Sequence, residues 1–130
     1  MPSVHIDNAG ETAIIECAGR FVRTETTFKL RDGVTSQTAA RLVILDLTEM
    51  HAIGGGGLGM LVLLQRWAQD RDIRFKLFNP SKSVQDKLKH VDFEIATLEQ
   101  MMSVLSRVDG EYARALFESQ FPLNRLSQYA

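Results

Sequence analysis

The run Leu42-Val43-Ile44-Leu45-Asp46-Leu47, followed by Ile53, four glycines (Gly54 to Gly57) and a Leu- and Met-rich stretch from Leu58 to Arg71, constrains the fold most. Apart from Asp46 near its end, the run is apolar on both faces and reads as a central strand covered by other elements on each side. The stretch after the glycines is dense in good helix formers and reads as the strongest helix of the chain. Ile73 to Phe78 then alternates and reads as a second strand. A strand–helix–strand unit closes with a right-handed crossover and parallel pairing. A chain of 130 residues fits one domain and can bury about two-thirds of its unfolded surface. The fold class is therefore α/β.

The flanking segments extend that unit. Ser3 to Asp7 and Thr12 to Ala18 read as an N-terminal hairpin around the turn Asn8-Ala9-Gly10-Glu11, with Gly19 ending the second strand. Phe21 to Ala40 reads as a helical crossover, broken near Arg31-Asp32-Gly33. Thr48 to Ala52 reads as a loop, with Ile53 as a last pleated residue before the glycines. Asn79-Pro80-Ser81 is a strand-to-helix turn, and Ser81 is placed to cap a helix over Val84 to Val91. Phe93 to Ala96 reads as a short edge strand. Thr97 with Gln100 three residues on forms a capping-box pattern at the head of a helix over Leu98 to Val108, stopped by Asp109-Gly110. The expected domain is residues 1–109. Residues 110–130 carry Tyr112, Leu116, Phe117, Phe121, Leu123 and Leu126, too apolar for a solvated tail. That extension is expected to pack on its own domain or on another copy, which leaves a homodimer open.

Composition removes several functions. Fifteen basic against sixteen acidic residues give a net charge of −1, and no Lys/Arg run marks a nucleic-acid face. The only cysteine, Cys17, lies in an apolar run and reads as a core residue in a reduced compartment. No signal peptide is visible, and the longest apolar stretch, Leu58 to Leu64, is far short of the ~20 residues of a membrane span. A cytoplasmic location follows as the expectation. His5, His51 and His90 are scattered, so no metal site is expected, and no cofactor is implied. Asp46 ends the central strand, a place where carboxylates sometimes act in catalysis, but Glu49 is read as solvated and no catalytic pair or Ser-His-Asp set stands out. Arg74, Lys76, Lys82, Lys87 and Lys89 give the stretch 74–90 a basic flavour, read as a solvated face.

The glycine turn remains. Amides at a helix start are unpaired and favour an anion, but the Walker pattern fails because Leu58-Gly59-Met60 stands where Lys and Ser/Thr are needed. A G-x-G-x-x-G can be forced onto Gly54, Gly56 and Gly59, which a run of glycines satisfies trivially. On a helical wheel Leu58, Leu61, Val62 and Ala68 share one side. Met60, Leu63 and Trp67 share nearly the other, with Leu64 between. One stripe faces the sheet. The second is covered either by a partner or by the C-terminal extension. Met and Trp are frequent anchors at contacts.

The run Leu42 to Leu47, then Ile53-Gly54-Gly55-Gly56-Gly57-Leu58-Gly59-Met60-Leu61, and later Phe75-Lys76-Leu77-Phe78-Asn79-Pro80-Ser81-Lys82-Ser83-Val84, resembles the STAS family, the sulphate-transporter and anti-sigma-factor-antagonist domains. The likeness runs over about residues 3–108. It implies a small mixed sheet of four or five strands with helices mainly on one face, and, through the match of Asp46-Leu47 to the family's structural Asp-Leu, a capping or loop-bonding role for Asp46. It also implies the job of bacterial anti-sigma factor antagonists in transcription regulation: a non-catalytic module binding an anti-sigma factor, usually kinase-like. In the family a Ser or Thr at the helix start is phosphorylated to switch binding off. Here the family's Asp falls on Gly54, its first hydroxyl on Gly55 and its phosphorylated position on Gly56, so that switch has no hydroxyl to act on. Thr48 is the nearest upstream hydroxyl. The expected partner surface is Gly54, Gly55, Gly56, Gly57, Met60, Leu63 and Trp67. The alternatives are a domain binding a nucleotide or other small anion at the same helix start, and a scaffold subunit of a larger regulatory or transport complex.

Overall fold

The computed structural model describes residues 2–106. The elements run β1 (Ser3–Ala9), β2 (Thr12–Phe21), α1 (Thr24–Thr35), β3 (Leu42–Asp46), β4 (Met50–Ile53), α2 (Gly55–Gln69), β5 (Arg74–Phe78), α3 (Lys82–Leu88), β6 (Glu94–Ile95) and α4 (Leu98–Leu105). The strand order is β1-β2-β3-β5-β6, with β4 attached to β2. Only β1–β2 is antiparallel; β2–β3, β2–β4, β3–β5 and β5–β6 are parallel. This is the mixed α/β sheet expected, with six strands instead of four or five.

The sixth strand comes from Met50–Ile53, which the sequence alone reads as a loop. Strand β2 is ten residues long and serves two neighbours in turn. Its first half pairs with β3. Its last three residues, Gly19 to Phe21, pair with β4 across a register shift between Gly19 and Arg20. Gly19 sits at φ 99°, which a residue with a Cβ rarely adopts. The glycine therefore makes a bulge inside β2 and does not end it.

Side-chain alternation splits the core into two layers. Ile15, Cys17, Val43, Leu45, Phe75 and Leu77 face α1, α2 and α3, packing with Leu30, Val34, Leu61, Leu64, Ala68, Val84 and Leu88. Ile14, Ile44 and Phe78 face the opposite way and meet Met101, Val104 and Leu105 of α4. Among the described residues, α1, α2 and α3 thus cover one face and α4 caps part of the other. The capping box at Thr97 and Gln100 is formed in both directions, and Ser81 caps α3 through its hydroxyl. The expected extension 110–130 lies outside the described residues.

Candidate functional site

The corner where β2 and β4 end and α1 and α2 begin is set by backbone bonds. The amide of Gly54 donates to the carbonyl of Phe21 at 3.0 Å, and Leu58 N–H donates to the carbonyl of Gly54 at 2.9 Å. Helix α2 therefore begins earlier than the sequence suggests: Gly55, Gly56 and Gly57 are its first turn, and only Gly54 lies outside, as the N-cap. Gly54 has no side chain to satisfy the first amides, and the amides of Gly55 and Gly56 precede that of Leu58, the first to bond back to Gly54 within the helix. Both residues are exposed.

The four glycines divide into two kinds. A Cβ on Gly57 would stand 2.7 Å from Ile53 Cγ1 and 2.8 Å from the Phe21 carbonyl oxygen. Gly57 is buried, and its missing side chain lets α2 lie against the ends of β2 and β4. Gly55, Gly56 and Gly59 have nothing within 4 Å of that position. No packing in the described residues demands glycine there. Gly54 is intermediate, its Cβ position lying 3.5 Å from Val22 Cα in ordinary contact.

Along α2 the buried residues are Gly57, Leu61, Leu64 and Ala68, one stripe at helical spacing. Val62, expected to face the sheet beside Leu61, is instead 37% exposed. It lies one residue, or about 100°, from Leu61 and turns past the edge of the stripe. Met60 and Trp67 are half-buried and pack against the core from the flanks of the helix. The Arg71 guanidinium lies over the Trp67 ring at 4.7 Å. Leu63 is the outlier: it is 61% exposed, the highest value among the large exposed apolar side chains. The outward strip of α2 is thus Gly55, Gly56, Gly59, Val62 and Leu63: bare main chain running into two aliphatic groups.

The loop before β4 is fixed by polar bonds, not by chemistry poised to react. Asp46 is buried, and its Oδ1 accepts from the Thr48 amide at 2.9 Å and the Thr48 hydroxyl at 2.6 Å. Asn79 Nδ2 donates to that same hydroxyl oxygen at 3.2 Å. The loop-bonding role expected of Asp46 holds, and Thr48 is committed to it. His51 is exposed on β4. Cys17 is buried, and loss of solvation pushes its thiol far up, away from a reactive thiolate. No cluster of His, Cys, Asp or Glu among the described residues is arranged to hold a metal ion. No helix among them is long and apolar enough to cross a membrane.

Two features escaped the sequence reading. Lys76, placed on a solvated basic face, is buried on β5, its ammonium 3.2 Å from Glu94 Oε1 on the neighbouring strand. Strand alternation could have found it, because Lys76 lies between the core residues Phe75 and Leu77 and points to the α4 layer. The second is a cavity of about 590 Å³ between α3, β6 and the start of α4, lined by Phe78, Pro80, Leu88, Val91, Phe93 and Ile95 among others.

Residues 5–115 match the STAS domain family. No protein in the curated set matches. Among solved structures, the anti-sigma factor antagonist SpoIIAA in its unphosphorylated form aligns at 15% identity and TM-score 0.61, over 78% of this chain and 93% of that one. The Bacillus cell fate determinant SpoIIAA in its phosphorylated form aligns at 16% identity and TM-score 0.64, covering 78% and 97%. An anti-sigma factor antagonist from Mycobacterium paratuberculosis aligns at 12% identity and TM-score 0.66, covering 80% and 94%. At these identities the structural likeness carries the fold alone.

Proposed function

The chain belongs to the STAS domain family, and from that premise we propose that it is a non-catalytic, cytoplasmic regulatory module that binds an anti-sigma factor through the N-terminal half of α2. The observation that carries the reading is the open strip Gly55, Gly56, Gly59, Val62 and Leu63. Three helical glycines with free space around them each cost about 0.5–1 kcal/mol against Ala, and no contact among the described residues asks for them. Close approach of a partner backbone to that strip accounts for the cost. Exposed Leu63 supplies an apolar anchor beside it.

Regulation at this strip differs from that of the phosphorylated relatives. Gly54 to Gly57 offer no hydroxyl, and Thr48 is engaged by Asp46 and Asn79. The module is therefore competent to bind without a phosphorylation switch at the helix start. Met60 and Trp67 contribute by buttressing the strip from its flanks, with their exposed portions at its margin.

Affinity capture from native cells, with mass spectrometry of what is retained, tests the reading when the parent is run beside Gly56→Asp. The space around Gly56 admits the side chain, and a carboxylate near a helix N-terminus is worth about 0.3–1 kcal/mol in its favour. The fold is retained while a negative charge enters the contact. Loss of a specific regulatory partner on Gly56→Asp supports the proposal; equal capture by both proteins refutes it. A second reading, small-molecule binding, draws on the cavity beside β6. Nucleotide and inorganic phosphate titrations followed by amide shifts at Leu88 to Leu98 decide whether that cavity is used.

A further inference from the structure

Arg20 and Val22 flank the inward-facing Phe21 at the end of β2, so both point outward where the chain turns into α1. Arg23 is the N-cap of α1, and Thr26 and Lys29 follow at helical spacing. Together Arg20, Val22, Arg23, Glu25, Thr26 and Lys29 line a groove of about 580 Å³. Three cations face one carboxylate there. Arg31, Arg41, Arg74 and Lys76 each lie within 4.0 Å of a carboxylate, whereas the side chains of Arg20, Arg23 and Lys29 form no ion pair or hydrogen bond with the other described residues. Val22, 51% exposed, stands in the groove and also lies against the Gly54 position, which makes the groove continuous with the glycine corner.

We propose that this groove receives an acidic polypeptide segment of the protein partner, which lays an apolar side chain on Val22 and its carboxylates on Arg20, Arg23 and Lys29. The inference rests on the protein-binding reading of the corner and adds the chemistry of what docks beside it. Charge complementarity selects the occupant: solvent-facing cations without a side-chain partner among the described residues, set around an apolar centre, match alternating acidic and apolar side chains. Phosphate backbones fit less well, because the apolar centre offers them nothing and three cations are few for a polyanion held by charge alone. The beginnings of α1 and α2, both lacking a side-chain cap bond, face the same edge and reinforce the positive field.

The test uses the whole chain and three probes followed by amide shifts: the peptide Glu-Leu-Glu-Glu-Leu-Glu-Glu-Leu, its counterpart with Lys for every Glu, and the oligonucleotide dT8. The expected result is saturable shifts confined to Arg20–Lys29 and Gly54–Gly56 with the acidic peptide alone. Affinity should fall about two- to five-fold for each of Arg20→Gln, Arg23→Gln and Lys29→Gln, and fall with added salt. All three residues are exposed, so unchanged melting temperatures check that the variants fold. Absence of a saturable shift, equal response to the Lys peptide, or a stronger response to dT8 overturns the proposal. The protein-binding reading fails separately, when Gly56→Asp captures the partner as well as the parent does.

Discussion

Glycines two residues apart on α2 are predicted to answer the same substitution with opposite signs. At Gly59 a methyl group enters empty space in a helix interior, so Gly59→Ala gains the helix-propensity difference, about 0.5–1 kcal/mol. At Gly57 the same gain is offset by a collision. The new Cβ would stand 2.7 Å from Ile53 Cγ1 and 2.8 Å from the Phe21 carbonyl oxygen. Ile53 is held in β4, and that carbonyl accepts the Gly54 amide at 3.0 Å, so neither atom yields without moving the β2–β4 pairing. Overpacking of this kind costs about 1–3 kcal/mol. The net expectation for Gly57→Ala is a loss of about 1–2 kcal/mol. For a chain of 130 residues that corresponds to melting temperatures about 3–8 °C lower for Gly57→Ala and about 2–5 °C higher for Gly59→Ala. Urea unfolding followed by circular dichroism, read at constant m-value, gives both numbers. If both substitutions stabilise, α2 does not lie against the strand ends as described. If both destabilise, Gly59 is packed against something, and the open strip is not open.

Three further outcomes follow from the same geometry. Leu63→Ala, at an exposed position, should change stability by less than about 0.5 kcal/mol in urea titration while weakening capture of the partner. Trp67→Ala removes a half-buried ring from the core margin and should cost about 1–3 kcal/mol, so an unchanged melting temperature would contradict its placement. Glu16 tests the electrostatics of the opposite sheet face. Partial burial, then the Asp46 carboxylate, raise its pKa above the ordinary 4.5, with His5 opposing. Its protonated form is favoured in the folded state, so stability is fullest below the unfolded pKa and falls as pH rises through the folded value. Glu16→Gln should therefore stabilise the protein at pH 7, with the advantage vanishing near pH 4, measured by thermal unfolding across that range.

How much of this was legible in the sequence depended on whether a residue's partners lay nearby in the chain. Leu42 to Leu45 declares a central strand because its consecutive apolar residues leave no polar position to misread, and Thr97 with Gln100 declares a helix start because the capping bonds are local. Met50–Ile53 did not read as a strand. Its partner is the far end of β2, reached only because Gly19 bulges, and no four-residue pattern reports that. The glycine run was visible, but its division was not. Whether a glycine is required at Gly57 or free at Gly56 is decided by Ile53 and Phe21, which the fold brings to the helix start. Val62 was misassigned for a related reason: a wheel gives angles but not the direction of the sheet. The groove of Arg20, Arg23 and Lys29 was illegible because those residues come from the end of one strand and the start of one helix, with no run of like charge.

The claim on which the functional account stands is that a protein partner covers the outward strip at the start of α2. Hydrogen–deuterium exchange on the captured complex, compared with the free chain, measures that directly. The account predicts slowed exchange in peptides spanning Gly54 to Leu63, with lesser protection at Arg20 to Lys29. Unchanged exchange at Gly54 to Leu63, with protection appearing only around Phe78 to Leu98, would contradict it.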